Sequence, residues 1–156
     1  MENLQQKAAF LKNGFTAALS GLDTNTPGKW GKMNVQQMIE HMSDYVRVAN
    51  GRTPMEIMTP EEKILRMQGF LESEKSFQEN TPNAFMPDIP APVKHATKEE
   101  AISELQGEIN HFFTVYEKEQ DKKIANPFFG QLTFDQQVQL LHKHATHHLR
   151  QFGAVE

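Results

Sequence analysis

Apolar residues recur at helical spacing in five stretches of the chain. Leu4, Ala8, Leu11, Phe15, Ala18 and Leu19 form the first stripe. Gly21 and the run from Asp23 to Gly28 stop it. Asn34 caps the second helix, with Gln37 three residues on in the capping-box position. Met38, His41, Met42, Tyr45 and Val48 share its stripe, and Asn50-Gly51 ends it. Thr59, Pro60 and the acids Glu61 and Glu62 start an accessory helix that the pattern carries from about Pro60 to Phe77. Thr97 caps the next, with a stripe of Ile102, Leu105, Ile109, Phe112, Phe113 and Tyr116 running to about Lys122. Thr133, followed by Gln136, caps the last, which runs to about Phe152.

Between the accessory helix and the third main helix lie Pro82, Pro87, Pro90 and Pro92, which exclude helix. The segment reads as an extended strap anchored by Phe85, Met86 and Ile89. No alternation of strand type persists, and the chain carries no repeat and no phosphate-cradling glycine loop. The expected architecture is all-α: a four-helix bundle with a long crossover and an accessory helix between the second and third main helices. Residues 1–156 are expected to form a single domain.

Composition narrows the chemistry. Sixteen Lys and Arg against twenty Asp and Glu give a net charge of −4, which argues against a nucleic-acid partner. No stretch is apolar enough to span a bilayer and the first residues lack a signal-peptide pattern, so the expected setting is cytoplasmic, with no membrane partner. The absence of cysteine removes disulfides, thiolate metal sites and a cysteine nucleophile, and leaves seven histidines among the available metal ligands.

Those histidines are not scattered. At about 100° per residue, His148 lies about 40° from His144, among Leu140, Leu141, Gln151 and Phe152. Two inward imidazoles one turn apart can converge. His41 faces inward on the second helix. A single inward histidine is ordinarily a hydrogen-bonded core residue. Three are better explained by a divalent cation that satisfies them together and leaves one position open. His142, about 160° away from His144, reads as a solvated-face residue, and His147 as a rim residue or, alternatively, a partner that supports a ligand ring. His95 and His111 read as structural. Tyr45, one turn beyond His41 on the same stripe, reads either as a group within reach of a metal-bound ligand or as a core tyrosine with its hydroxyl at a rim. The aromatics Phe128 and Phe129, just before the last helix, are too apolar to be left in water, and at least one is expected to pack and fix where that helix begins.

The segment from Trp30 to Met42 resembles the second helix of DinB-like proteins. The stretch from Asn126 through His144, His148 and Gln151 to Gly153 resembles their fourth helix, closest to a bacterial branch ending in an HHLRQFG-like string. The resemblance implies His41, His144 and His148 as ligands of a divalent metal ion, zinc or nickel, in an open site. It also implies homodimer formation and a small-molecule substrate, with a low-molecular-weight thiol as cosubstrate in S-transferase relatives. Leu149 stands where many relatives carry arginine, so Arg150 takes no substrate role by analogy. Hydrolysis and thiol transfer both follow from such a first shell, and no HExxH pattern points to a protease. The rival class is a non-catalytic, metal-stabilised binding or stress-associated module.

Overall fold

The computed structural model describes residues 1–79 and 89–155. The protein is mostly helical. Helices α1 (Leu4–Ala9) and α2 (Phe15–Ser20) are joined by a π-helical turn over Phe10–Gly14. Helix α3 spans Val35–Ala49, α4 Glu61–Glu72, α5 Lys98–Lys118 and α6 Phe134–Gln151. Strands β1 (Ile124–Asn126) and β2 (Gly130–Leu132) pair antiparallel, with Asn126 opposite Gly130.

Helix α3 lies mainly along α5, α1 and α4 rest on α6, and α2 packs on α5. The main core is fully buried where these faces meet, at Phe15, Leu19, Met38, Ile39, Leu105 and Phe112. A second cluster gathers Leu71, Phe129, Leu132 and Leu140. Phe129 is buried there and Phe128 packs against its edge, so both aromatics pack against the bundle just ahead of α6.

Several sequence expectations need correction. The accessory helix stops at Glu72 rather than Phe77. The Lys143 ammonium donates to the carbonyls of Ser73 and Lys75, and Gln139 donates to Ser73 O at 2.9 Å. Those side chains hold the Ser73 and Lys75 carbonyls, and the segment runs across α6 instead. Helix α5 ends at Lys118, because Glu119 leaves helical geometry (φ −137°, ψ 88°) before the hairpin. The hairpin itself escaped the pattern, since three-residue strands are too short to show alternation. Its turn uses Gly130 at φ +82°, where a Cβ would also press on Ile64 at 3.2 Å. Ile89, expected to be an anchor, is 75 % exposed, while Phe85 and Met86 lie outside the described residues. Among the described residues no helix is long and apolar enough to cross a membrane.

Candidate metal centre

Two capping boxes set the helices that carry the histidines. Asn34 Oδ1 accepts from Gln37 N at 2.8 Å and Gln37 Oε1 accepts from Asn34 N at 2.9 Å, opening α3. Thr133 and Gln136 do the same for α6, at 3.3 and 3.0 Å. Each box satisfies amides that a helix start leaves unpaired and fixes the first residue of its helix. The turn number then places His41 on α3 and His144 and His148 on α6 toward one another.

The three rings meet through their Nε2 atoms. His41 Nε2 lies 3.2 Å from His144 Nε2, which lies 3.0 Å from His148 Nε2. One ligand atom from each falls within 4.8 Å of the others. His144 and His148 are buried and His41 half-buried. All three are held neutral. Burial pulls His41 down to about 4 and His148 to about 3, the latter aided by the neighbouring His41. Burial, then His148 and His41, puts His144 well below the ordinary imidazole range.

The tautomer of His148 follows from its surroundings. Gln151 donates through Nε2 to the Trp30 carbonyl at 2.9 Å, so its Oε1 is the atom 2.8 Å from His148 Nδ1. A carbonyl accepts only, which fixes the amide orientation. Nδ1 of His148 therefore carries the hydrogen and its Nε2 is a bare lone pair. Gly31 makes room for this clamp: at φ +77°, a Cβ there would stand 2.8 Å from Gln151 Nε2. The sequence placed Gln151 on the inward face, but its partner lies 121 residues away, beyond any periodicity.

The His144 Nε2 touches both neighbours, so a single proton there would have to serve two contacts. Its Nδ1 is buried without a hydrogen-bond partner among the described residues. The cluster is short of hydrogens. A divalent cation accepting the three lone pairs removes the shortage. A tetrahedral ion with Zn–N bonds of about 2.0–2.1 Å sets its nitrogens roughly 3.3 Å apart. Two of the three observed spacings, 3.0 and 3.2 Å, are close to that and the third lies within 4.8 Å, so the residues fit such an ion.

Aromatic rings wall the cluster. Tyr45 stands edge-on to His144, centroids 4.1 Å apart, and Phe77 meets His144 at 5.7 Å and His147 at 5.8 Å. His147 is half-buried between Phe77 and Trp30 and reaches no ring nitrogen of the cluster; its ring donates to the Phe77 carbonyl. His142 is not solvated as its wheel position suggests. It sits across the helix from the cluster, half-buried edge-on against Phe10 at 5.7 Å, because α1 covers that side of α6. His95 is structural, 2.6 Å from Glu104. Arg150 turns away and donates to Ser76 at 3.0 Å.

A cleft of about 360 Å³ reaches the cluster along His41 and Tyr45. Its far wall is the segment from Pro90 to Lys94, tied to α3 by Gln37 Nε2 donating to Ala91 O (3.0 Å) and by Glu40 accepting from the Lys94 and His95 amides (2.6 and 3.1 Å). These amides and the Gln36 side chain hold the Glu40 carboxyl below its ordinary pKa, against the opposing effect of burial.

Helical content, two histidines one turn apart on the last helix and a third on an earlier one define a class of helical, histidine-centred proteins. The sequence model of the DinB superfamily matches residues 13–152, nearly the whole chain, and the protein belongs to that superfamily. No curated protein and no solved structure matches it.

Proposed function

We propose that this protein is a metal-dependent enzyme whose centre is held by His41, His144 and His148. The observation that carries the reading is the convergence of three neutral Nε2 atoms beside a cleft of small-molecule size. On this reading α1–α2, α3, α5 and α6 are the four main helices of a bundle, with α4 the accessory helix of the crossover. Zinc and nickel both suit an imidazole donor set. When bound, such an ion supplies Lewis acidity that makes a water or a thiol a competent nucleophile near neutral pH. The chain's own residues then do the rest. His41, His144 and His148 present uncharged donors, Gln151 holds the His148 ring in one tautomer, and Phe77, Tyr45 and Trp30 exclude bulk water from the surrounding walls. The substrate is a small molecule admitted along His41, and the chemistry is hydrolysis or transfer to a low-molecular-weight thiol.

Elemental analysis of purified protein, followed by a screen of esters, amides and electrophiles with and without glutathione, bacillithiol or mycothiol, tests this. Stoichiometric metal with turnover only when a thiol is added identifies a transferase; turnover without it identifies a hydrolase. Metal with no turnover in either arm overturns the enzymatic reading in favour of a metal-stabilised module.

Gln151 offers a separate check. Gln151→Leu keeps the volume but frees the His148 ring. Metal affinity should fall about 10–100-fold, the usual cost of losing such a supporting partner. Competition against a chromogenic chelator measures it, and an unchanged affinity would show that the ring needs no clamp.

A further inference from the structure

The geometry points to Tyr45, oriented by Asn126, as the hydrogen-bond donor that receives a carbonyl oxygen of the substrate in the cleft beside His41. This rests on the reading that the cleft serves the three-histidine centre.

Asn126 sits at the end of β1 and is 2 % exposed. Its Oδ1 accepts from the amides of Phe128 at 2.9 Å and Phe129 at 3.2 Å, inside the hairpin turn. Two backbone donors fix which end of the side-chain amide is oxygen. The NH₂ end therefore faces the Tyr45 hydroxyl and donates to it. The phenol oxygen thus already accepts a hydrogen bond, and its own hydrogen is left for a different acceptor. Both side chains line the cleft, together with His41.

Among the described residues that line the cleft, the strongest acceptors for that hydrogen are already taken and Thr53 is the one further hydroxyl. The carboxylates are engaged: Asp44 accepts from Arg47 at 2.6 Å, and Glu40 accepts from two backbone amides and from Gln36. Met33, Val48, Met55, Pro92 and Phe128 make much of the remaining wall apolar. Such a wall accommodates an apolar body, while the tyrosine hydrogen, aimed by the Asn126 contact, defines where an acceptor atom must lie. That combination selects a neutral carbonyl compound with an alkyl or aryl body, its oxygen at Tyr45. The chain prepares this donor through the hairpin, whose turn just ahead of α6 orients Asn126.

The test uses acetophenone as probe and ethylbenzene, which lacks the oxygen, as its control. Both are titrated by NMR into the full chain as purified, and metal per chain is measured on the same samples. The parent should bind the ketone more tightly than the hydrocarbon. Tyr45→Phe, which removes one oxygen and keeps the ring against His144, should reduce that preference about three- to tenfold, the range set by one neutral hydrogen bond. Asn126→Asp should reduce it similarly: its carboxylate still accepts from Phe128 and Phe129 but draws the Tyr45 hydrogen to itself. If Asn126→Asp fails to fold, by circular dichroism, Tyr45→Phe alone decides. A preference that survives Tyr45→Phe, or a parent that does not distinguish the two compounds, overturns the assignment. A metal-bearing parent without the preference overturns the Tyr45 donor and leaves the metal centre standing. A metal-free parent that keeps the preference overturns the metal centre and leaves the donor standing.

Discussion

His144→Ala should strip the protein of its divalent cation. His144 is the middle ring of the cluster, with its Nε2 in contact with both neighbours, so its loss leaves His41 and His148 without the nitrogen that joins them. The affinity lost should exceed the roughly 10–100-fold that follows from removing a mere supporting partner. Elemental analysis after dialysis reads the result directly. His41→Ala and His148→Ala should behave alike, and the His144→Ala/His148→Ala double variant should bind no metal at all. His142→Ala is the control, because its ring packs on Phe10 across the helix and cannot reach the cluster. Full occupancy in the double variant would end the metal assignment.

The second large effect is on stability. A cation bound only by the folded chain adds RT ln(1 + [L]/Kd), about 2.7 kcal/mol at a hundredfold excess over Kd. Chelation should therefore lower the melting temperature by several degrees. Acid should act in the same direction. His41 and His148 are held neutral in the fold, at about 4 and about 3, whereas an unfolded chain titrates them near the ordinary value of 6.5. As pH falls below that ordinary value, the unfolded state takes up protons that the folded state refuses, so stability declines. The decline should begin near pH 6.5 and continue until the native rings themselves protonate, around pH 4 and 3. Each unit of such a difference corresponds to about 1.4 kcal/mol. Denaturant melts of chelated protein at pH 7.5 and at about 5 check the sign. Equal stability at both would show that the rings are not buried as neutral groups. A metal-loaded sample should show a steeper loss, because protons compete with the cation for the same nitrogens.

The parts of this centre that the sequence exposed are those written in short periods. His144 and His148 are one turn apart in an apolar stripe, and His41 lies on another, so the wheel suffices to bring them inward. Both capping boxes are local patterns and both are formed. What stayed hidden is either long-range or disguised. The clamp from Trp30 through Gln151 to His148 joins residues that no spacing rule connects. Gln139, Lys143, His147 and Arg150 look like a polar, solvated face. In the fold they form a seam that accepts the chain after α4, through Ser73, Lys75, Ser76 and Phe77. Lys7 escaped for the same reason: it is buried, paired with Glu74 at 2.6 Å and with Gln139 at 2.8 Å. A charged side chain gives no periodic sign of burial when its partner lies far along the chain.

The Trp30–Gln151 closure also sets an order of events during synthesis. One of the three histidines is made early, and the other two, with the glutamine that aligns the last of them, are made at the far end of the chain. A growing polypeptide that has exposed only α3 offers a solitary imidazole, a single donor where the proposed centre needs three. Capture must wait until α6 has emerged and the loop around Gly31 has closed on Gln151. On the proposed reading, the choice of metal falls to the finished fold, with its spacings already set, rather than to whichever ion first meets the nascent chain.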